Sequence, residues 1–99
     1  DENDGRILGG YIRYMLDVQQ VPYEMVRWTK DETWIKVKSE DFTARYEMAP
    51  LDELVDAYEA QWNGAAKTLV SPEWSCVIED RDEEDMLIKV IRKEDLRML

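Results

Sequence analysis

Few side chains in this sequence could carry out chemistry at neutral pH. It holds no histidine, which removes the commonest general base, proton shuttle and neutral metal ligand. Ser-His-Asp and Cys-His nucleophiles need that imidazole and are ruled out with it. A zinc site of the usual Cys/His type is ruled out too, because Cys76 is the only cysteine. Cys76, flanked by Ser75 and Val77 in a stretch that reads as a strand, is expected to be a small core residue. A reactive role would need a positive charge beside it to depress its pKa. A lone cysteine forms no intrachain disulfide, so the fold must stand on packing, and a reducing compartment is the expected home. Gly9-Gly10 and Gly64 build neither a G-x-G-x-x-G nor a G-x-x-x-x-G-K phosphate loop.

What remains is carboxylate, with 23 Asp and Glu in the chain. Paired carboxylates catalyse when a cleft raises the pKa of one of them, and 99 residues with one helix leave little material for a sugar-sized cleft. The acidic run at residues 79–85 offers Asp80, Asp82 and Glu84 at alternate positions, as the early ligands of a calcium loop would be. An EF-hand loop counted from Asp80 needs Gly at its sixth position and Glu at its twelfth, and finds Asp85 and Ile91. The run therefore reads as a solvated hairpin tip. No catalytic residue, metal ligand or cofactor is expected, and the protein is expected not to be an enzyme.

Charge is the strongest signal. The net charge of −10 disfavours direct binding to nucleic acid or to an anionic membrane. It is unevenly spread. Residues 1–48 carry ten acids and seven bases, residues 49–85 eleven acids and two bases, and residues 86–99 two acids and four bases. Nearly all the excess thus lies between the middle of the chain and the acidic run. No run of eighteen apolar residues suggests a membrane span. The start, acidic where a signal peptide is basic, reads as no export signal, so a cytoplasmic location is expected.

The elements that must carry these groups follow from periodicity. Residues 1–6 read as a disordered acidic tail and residues 7–99 as a single α+β domain. Residues 7–21 fit either a helical stripe or an alternating strand. Gly9-Gly10 weakens a helix and Tyr, Ile and Val favour extended chain, which tips the reading to a strand over residues 11–18. Residues 25–29 and 33–38 form a hairpin around Lys30-Asp31-Glu32, and Phe42, Ala44, Tyr46 and Met48 alternate as a further strand. Residues 50–62 are the surest helix: Leu51, Leu54, Val55, Tyr58 and Trp62 make one apolar stripe, Pro50 suits the start, and Asn63-Gly64 suits a stop. Strands at residues 73–79 and 86–92 flank the acidic turn, and Leu96, Met98 and Leu99 are expected to dock the tail. The expected architecture is a mostly antiparallel sheet of five to six short strands with one main amphipathic helix on one face.

On that frame the carboxylates become candidates for recognition. Asp52, Asp56 and Glu59 lie off the helix's apolar stripe, and Asp80, Asp82, Glu83, Glu84 and Asp85 crowd the turn. Spaced carboxylates can stand in for phosphates in a cleft built for nucleic acid. Trp34, among charges on the uncovered sheet face, is the candidate aromatic anchor. Residues 74–80, Trp-Ser-Cys-Val-Ile-Glu-Asp, are similar to the W-x-x-V-I-x-D strand of the phage uracil-DNA glycosylase inhibitors, a family of small acidic DNA mimics. The likeness spans seven residues and carries no site residue over. The expected function is an acidic protein that binds a basic protein surface, in its sharpest form a phage or mobile-element inhibitor of a nucleic-acid enzyme. A small structural or assembly subunit, homodimeric through the tryptophan face or an edge strand, and an immunity protein or antitoxin are the rival readings.

Overall fold

Leu8, Ile12 and Leu16 recur every four residues, and the segment that carries them is a helix, α1 (Asp4–Val18), rather than a strand. Its first turn takes in residues 4–6, which the sequence reading placed in a tail. Packing decides against local preference. Gly5 and Gly9 lie one turn apart on the buried side, and their missing side chains let the helix backbone press onto the hairpin that carries Lys30 and Thr33. The Gly5 N–H donates to the Lys30 carbonyl at 3.0 Å, and the Thr33 hydroxyl donates to the Gly5 carbonyl at 3.0 Å. A side chain at Gly9 would collide with Thr33. The glycines that argue against a helix in isolation are thus what docks this one.

The computed structural model describes residues 2–44, 50–81 and 83–96. After α1 come β1 (Glu24–Trp28), β2 (Thr33–Lys38), the short α2 (Ser39–Thr43), α3 (Leu51–Leu69), β3 (Trp74–Glu79), β4 (Asp85–Arg92) and a terminal turn of helix, α4 (Lys93–Leu96). The four strands form one antiparallel sheet in the order β1-β2-β4-β3. The α+β class holds, with four strands where five to six were expected. One missing strand is α1. The alternation at 42–48 begins in α2, where Phe42 is buried, and Tyr46 and Met48 lie outside the described residues.

Alternation in the strands divides the sheet into two faces. Ile35, Ile88 and Ile78 stand side by side across β2, β4 and β3, with Thr33, Val90 and Cys76 in the next row. All six are buried. Helix α1 brings Leu8, Ile12 and Leu16 to this core, and α3 brings Leu54, Val55, Trp62 and Ala66. Trp62 is fully buried and leans on Tyr58, which meets Phe42 edge to face at 5.2 Å. Each large side chain so buried contributes roughly 1.5–3 kcal/mol. The opposite face carries Trp34, Lys36, Val77, Leu87 and Lys89 at the intervening positions.

Helix α3 runs through the expected stop at Asn63-Gly64 and ends near Val70. Ala66, one turn further on, is buried against the core, and that contact outweighs the glycine. Gly64 faces open space.

The two kinds of helical glycine give opposite expectations. Gly64→Ala should raise stability by about 1 kcal/mol, through propensity alone. Gly5→Ala, whose methyl would meet the Lys30 carbonyl oxygen, should cost roughly 1–3 kcal/mol. Urea denaturation of the two variants checks both signs.

Candidate functional site

Strand β3 is an edge of the sheet, and an edge leaves every second N–H and C=O without a strand partner. Helix α3 supplies the partners. The Asn63 side-chain amide acts as a peptide would: its Nδ2 donates to the Cys76 carbonyl at 2.9 Å, and its Oδ1 accepts from the Cys76 N–H at 2.8 Å. Oδ1 also accepts from the Ser75 hydroxyl at 3.2 Å. One turn earlier, Glu59 Oε2 accepts from the Ile78 N–H at 2.8 Å. The helix therefore lies antiparallel to β3 and closes the edge at Cys76 and Ile78.

The same contacts set where the helix acids go. Glu59 also receives Arg81 Nη2 at 3.1 Å, and Arg81 Nη1 pairs with Asp56. The Arg81 guanidinium is held above its ordinary value, first by the Asp56 hydrogen bond and then by Glu59. Arg81 thereby clasps the β3–β4 turn to the N-terminal half of α3. The turn opens on Asp80, in the left-handed region at φ 58°, which Asp tolerates better than most residues. Its carbonyl accepts from the Glu83 N–H at 3.1 Å. From the other side α2 is tied on: Ser39 donates its N–H to the Glu84 carbonyl at 2.9 Å and its hydroxyl to the Glu83 carbonyl at 2.8 Å.

Three acidic segments thus meet at one end of the sheet. Glu40 and Asp41 come from α2, Asp52, Glu53, Asp56 and Glu59 from α3, and Asp80, Glu83, Glu84 and Asp85 from the turn. Asp52, Asp56, Asp80, Glu83, Glu84 and Asp85 are exposed, whereas Glu59 is half-buried. Among these acids the sequence supplies one base, Arg81, since Lys67 lies in the far turn of α3. Lys38, opposite Asp85 in the β2–β4 ladder, borders them.

The predicted candidates sort accordingly. Asp52, Asp56, Glu59, Asp80, Glu83, Glu84 and Asp85 come together at this acidic pole, and Asp82 lies outside the described residues. Glu59 and Asp56 also hold structure, through β3 and Arg81. Trp34 does not join them. It sits on the uncovered sheet face, half-buried, with Lys89 Nζ 4.7 Å and Arg27 5.7 Å from its ring centre. Lys89 is anchored in turn by Glu79 at 3.1 Å. Trp34 is thus set beside cations, with Glu32 and Asp95 lining the same groove, and away from the acidic pole. Sequence reading missed Asn63, taken for a helix stop, and the clasp by Arg81. The signal for the second was present as the single base inside the acidic run. Glu40 and Asp41 reach the pole only through the fold.

No cluster of metal-ligating side chains occurs among the described residues, and no described helix is long and apolar enough to cross a membrane. Cys76 is buried behind Asn63, and burial pushes its thiol well above its ordinary value, with the Glu59 carboxylate adding to the shift.

Removing the Asn63 amide strands a donor and an acceptor of β3. Asn63→Leu should cost about 2–4 kcal/mol, and Asn63→Asp, which keeps the acceptor, roughly half as much, in urea titrations. The buried thiol gives a pH dependence. The unfolded chain's Cys76 ionises above about pH 8.5 while the folded one stays protonated, so the unfolded state binds fewer protons and stability falls as pH rises. The advantage of the parent over Cys76→Ala should shrink by about 2 kcal/mol between about pH 8 and about pH 10.

Comparison with protein-family models, with curated proteins and with solved structures found no match to this chain.

Proposed function

We propose that this is a non-enzymatic binding protein that docks its acidic pole on a basic surface of another protein. In its sharpest form it is an inhibitor of phage or mobile-element origin, of the anti-CRISPR or anti-restriction kind, that occupies the nucleic-acid cleft of an enzyme. The observation that carries the reading is the convergence of three acidic segments on one end of the sheet, around a single arginine. Like charges so gathered repel one another and weaken the free protein. A basic cleft relieves that repulsion, steers the encounter and releases bound counter-ions on both sides. The carboxylates stand on a helix and a tight turn rather than on a loose tail, so little order has to be created on binding.

The residues to reverse are exposed acids whose side chains take no part in the Arg81 clasp or in closing the β3 edge. Asp52→Lys combined with Glu83→Lys and Glu84→Lys leaves Arg81, Asp56 and Glu59 intact. The reading expects parent protein immobilised as bait to hold a basic, nucleic-acid-binding partner from a host lysate at about 50 mM salt and to release it at about 500 mM. It expects the triple variant, folded by circular dichroism, to hold none, and it expects added duplex DNA to compete with the parent. Equal capture by parent and variant, or capture indifferent to salt, removes the reading.

A further inference from the structure

The exposed large apolar side chains of the described residues are not scattered. Ile7, Tyr14, Val18, Val26, Trp28 and Leu69 make up the set, and all but Leu69 belong to α1 or β1. Ile7, Tyr14 and Val18 fall at i, i+7 and i+11, one stripe of α1 on the side away from the core. Tyr14 is 63% and Val18 57% exposed. Trp28 joins the stripe to β1: its indole N–H donates to the Arg6 carbonyl at 3.1 Å, and Arg13 stacks on its ring at 5.3 Å. Tyr14 and Trp28 flank one shallow groove floored by Gly10. β1 is also the sheet edge that α3 does not close, and the pairing irregularity between Met25 and Arg27 turns Val26 outward.

Charge says what can cover this side. α1 carries two bases and two acids. In a chain of net charge −10, this is a side that two copies can bring together without the repulsion their acidic poles would create. The pattern is also self-complementary. Arg13 and Asp17 bracket Tyr14 on α1, whereas Glu24 and Arg27 of β1 pair within the chain, with Lys36 and Glu32. A two-fold axis across α1 sets Arg13 of each copy against Asp17 of the other, as an isologous interface requires. We propose that the α1–β1 side is the contact between two copies of this chain, with Tyr14, Val18, Val26 and Trp28 at its centre and the two acidic poles left free. This proposal does not depend on the function proposed above.

Sedimentation of the full chain from about 5 to about 500 μM at about 150 mM salt tests it. The mass should rise from 11.8 kDa toward twice that value. Tyr14→Glu and Val18→Lys, both at exposed positions, should each weaken the association about tenfold or more. Glu83→Lys with Glu84→Lys, at the acidic pole, should leave it unchanged. A parent that stays at the monomer mass throughout overturns the proposal, and if the stripe substitutions then cost binding to another protein, the face belongs to that partner. Undiminished dimer in both stripe variants overturns it as well.

Discussion

One side-chain amide holds the architecture in place. Asn63 completes the hydrogen bonding of Cys76 as a fifth strand would, and Glu59 does the same for Ile78 one turn away. A helix that must present these two residues to a strand edge has no rotational freedom left. With Asn63 and Glu59 on β3, Val55, Trp62 and Ala66 have to enter the core, and Asp52, Glu53 and Asp56 have to face water. The edge is closed by the same residues that orient the charged surface, so a change to either is felt by both. An unprotected edge would be open to pairing with other chains, and here that exposure is confined to β1.

The acidic pole is compatible with a folded domain for identifiable reasons. Its carboxylates are mostly exposed, where water screens them. Glu40 and Asp41 lie in the first turn of α2, and Asp52 and Glu53 in the first turn of α3, where free backbone N–H groups favour negative charge. Arg81 offsets Asp56 and Glu59. The pole is therefore a set of charges each tolerated locally, whose sum is felt at a distance. That is the condition under which a charged surface steers a partner while the domain that bears it stays folded.

Much of this was legible in the sequence, and the rest failed for particular reasons. The β1–β2 hairpin, β3, β4 and the apolar stripe of α3 announce themselves because each buries one face and wets the other, which imposes a clean period. α1 did not, because Gly9-Gly10 and the strand-favouring Tyr, Ile and Val residues outweigh locally the stripe of Leu8, Ile12 and Leu16. Gly5 and Gly9 are read locally as weakness, and their value as a close-approach surface exists only once Lys30 and Thr33 are opposite them. Asn63-Gly64 has the composition of a stop, but the strand edge that recruits Asn63 is supplied by residues more than ten positions later. The candidate site followed the same division. Acids close in sequence were found; their meeting with α2, and the separation of Trp34 from them, are properties of the sheet order.

That order has a further consequence, for the path by which the chain folds. β4 is the last strand in sequence and an inner strand in space, between β2 and β3. The β1–β2 hairpin forms from near neighbours, but the ladder that pairs Ile35 with Ile88 joins residues half a chain apart. Until β4 arrives, β2 has a bare edge and α1 and α3 have only part of a surface to cover. Chains dominated by such distant pairings fold more slowly than those built from local contacts. The early helix α1 must therefore wait until β4 has left the ribosome before the core it covers can close.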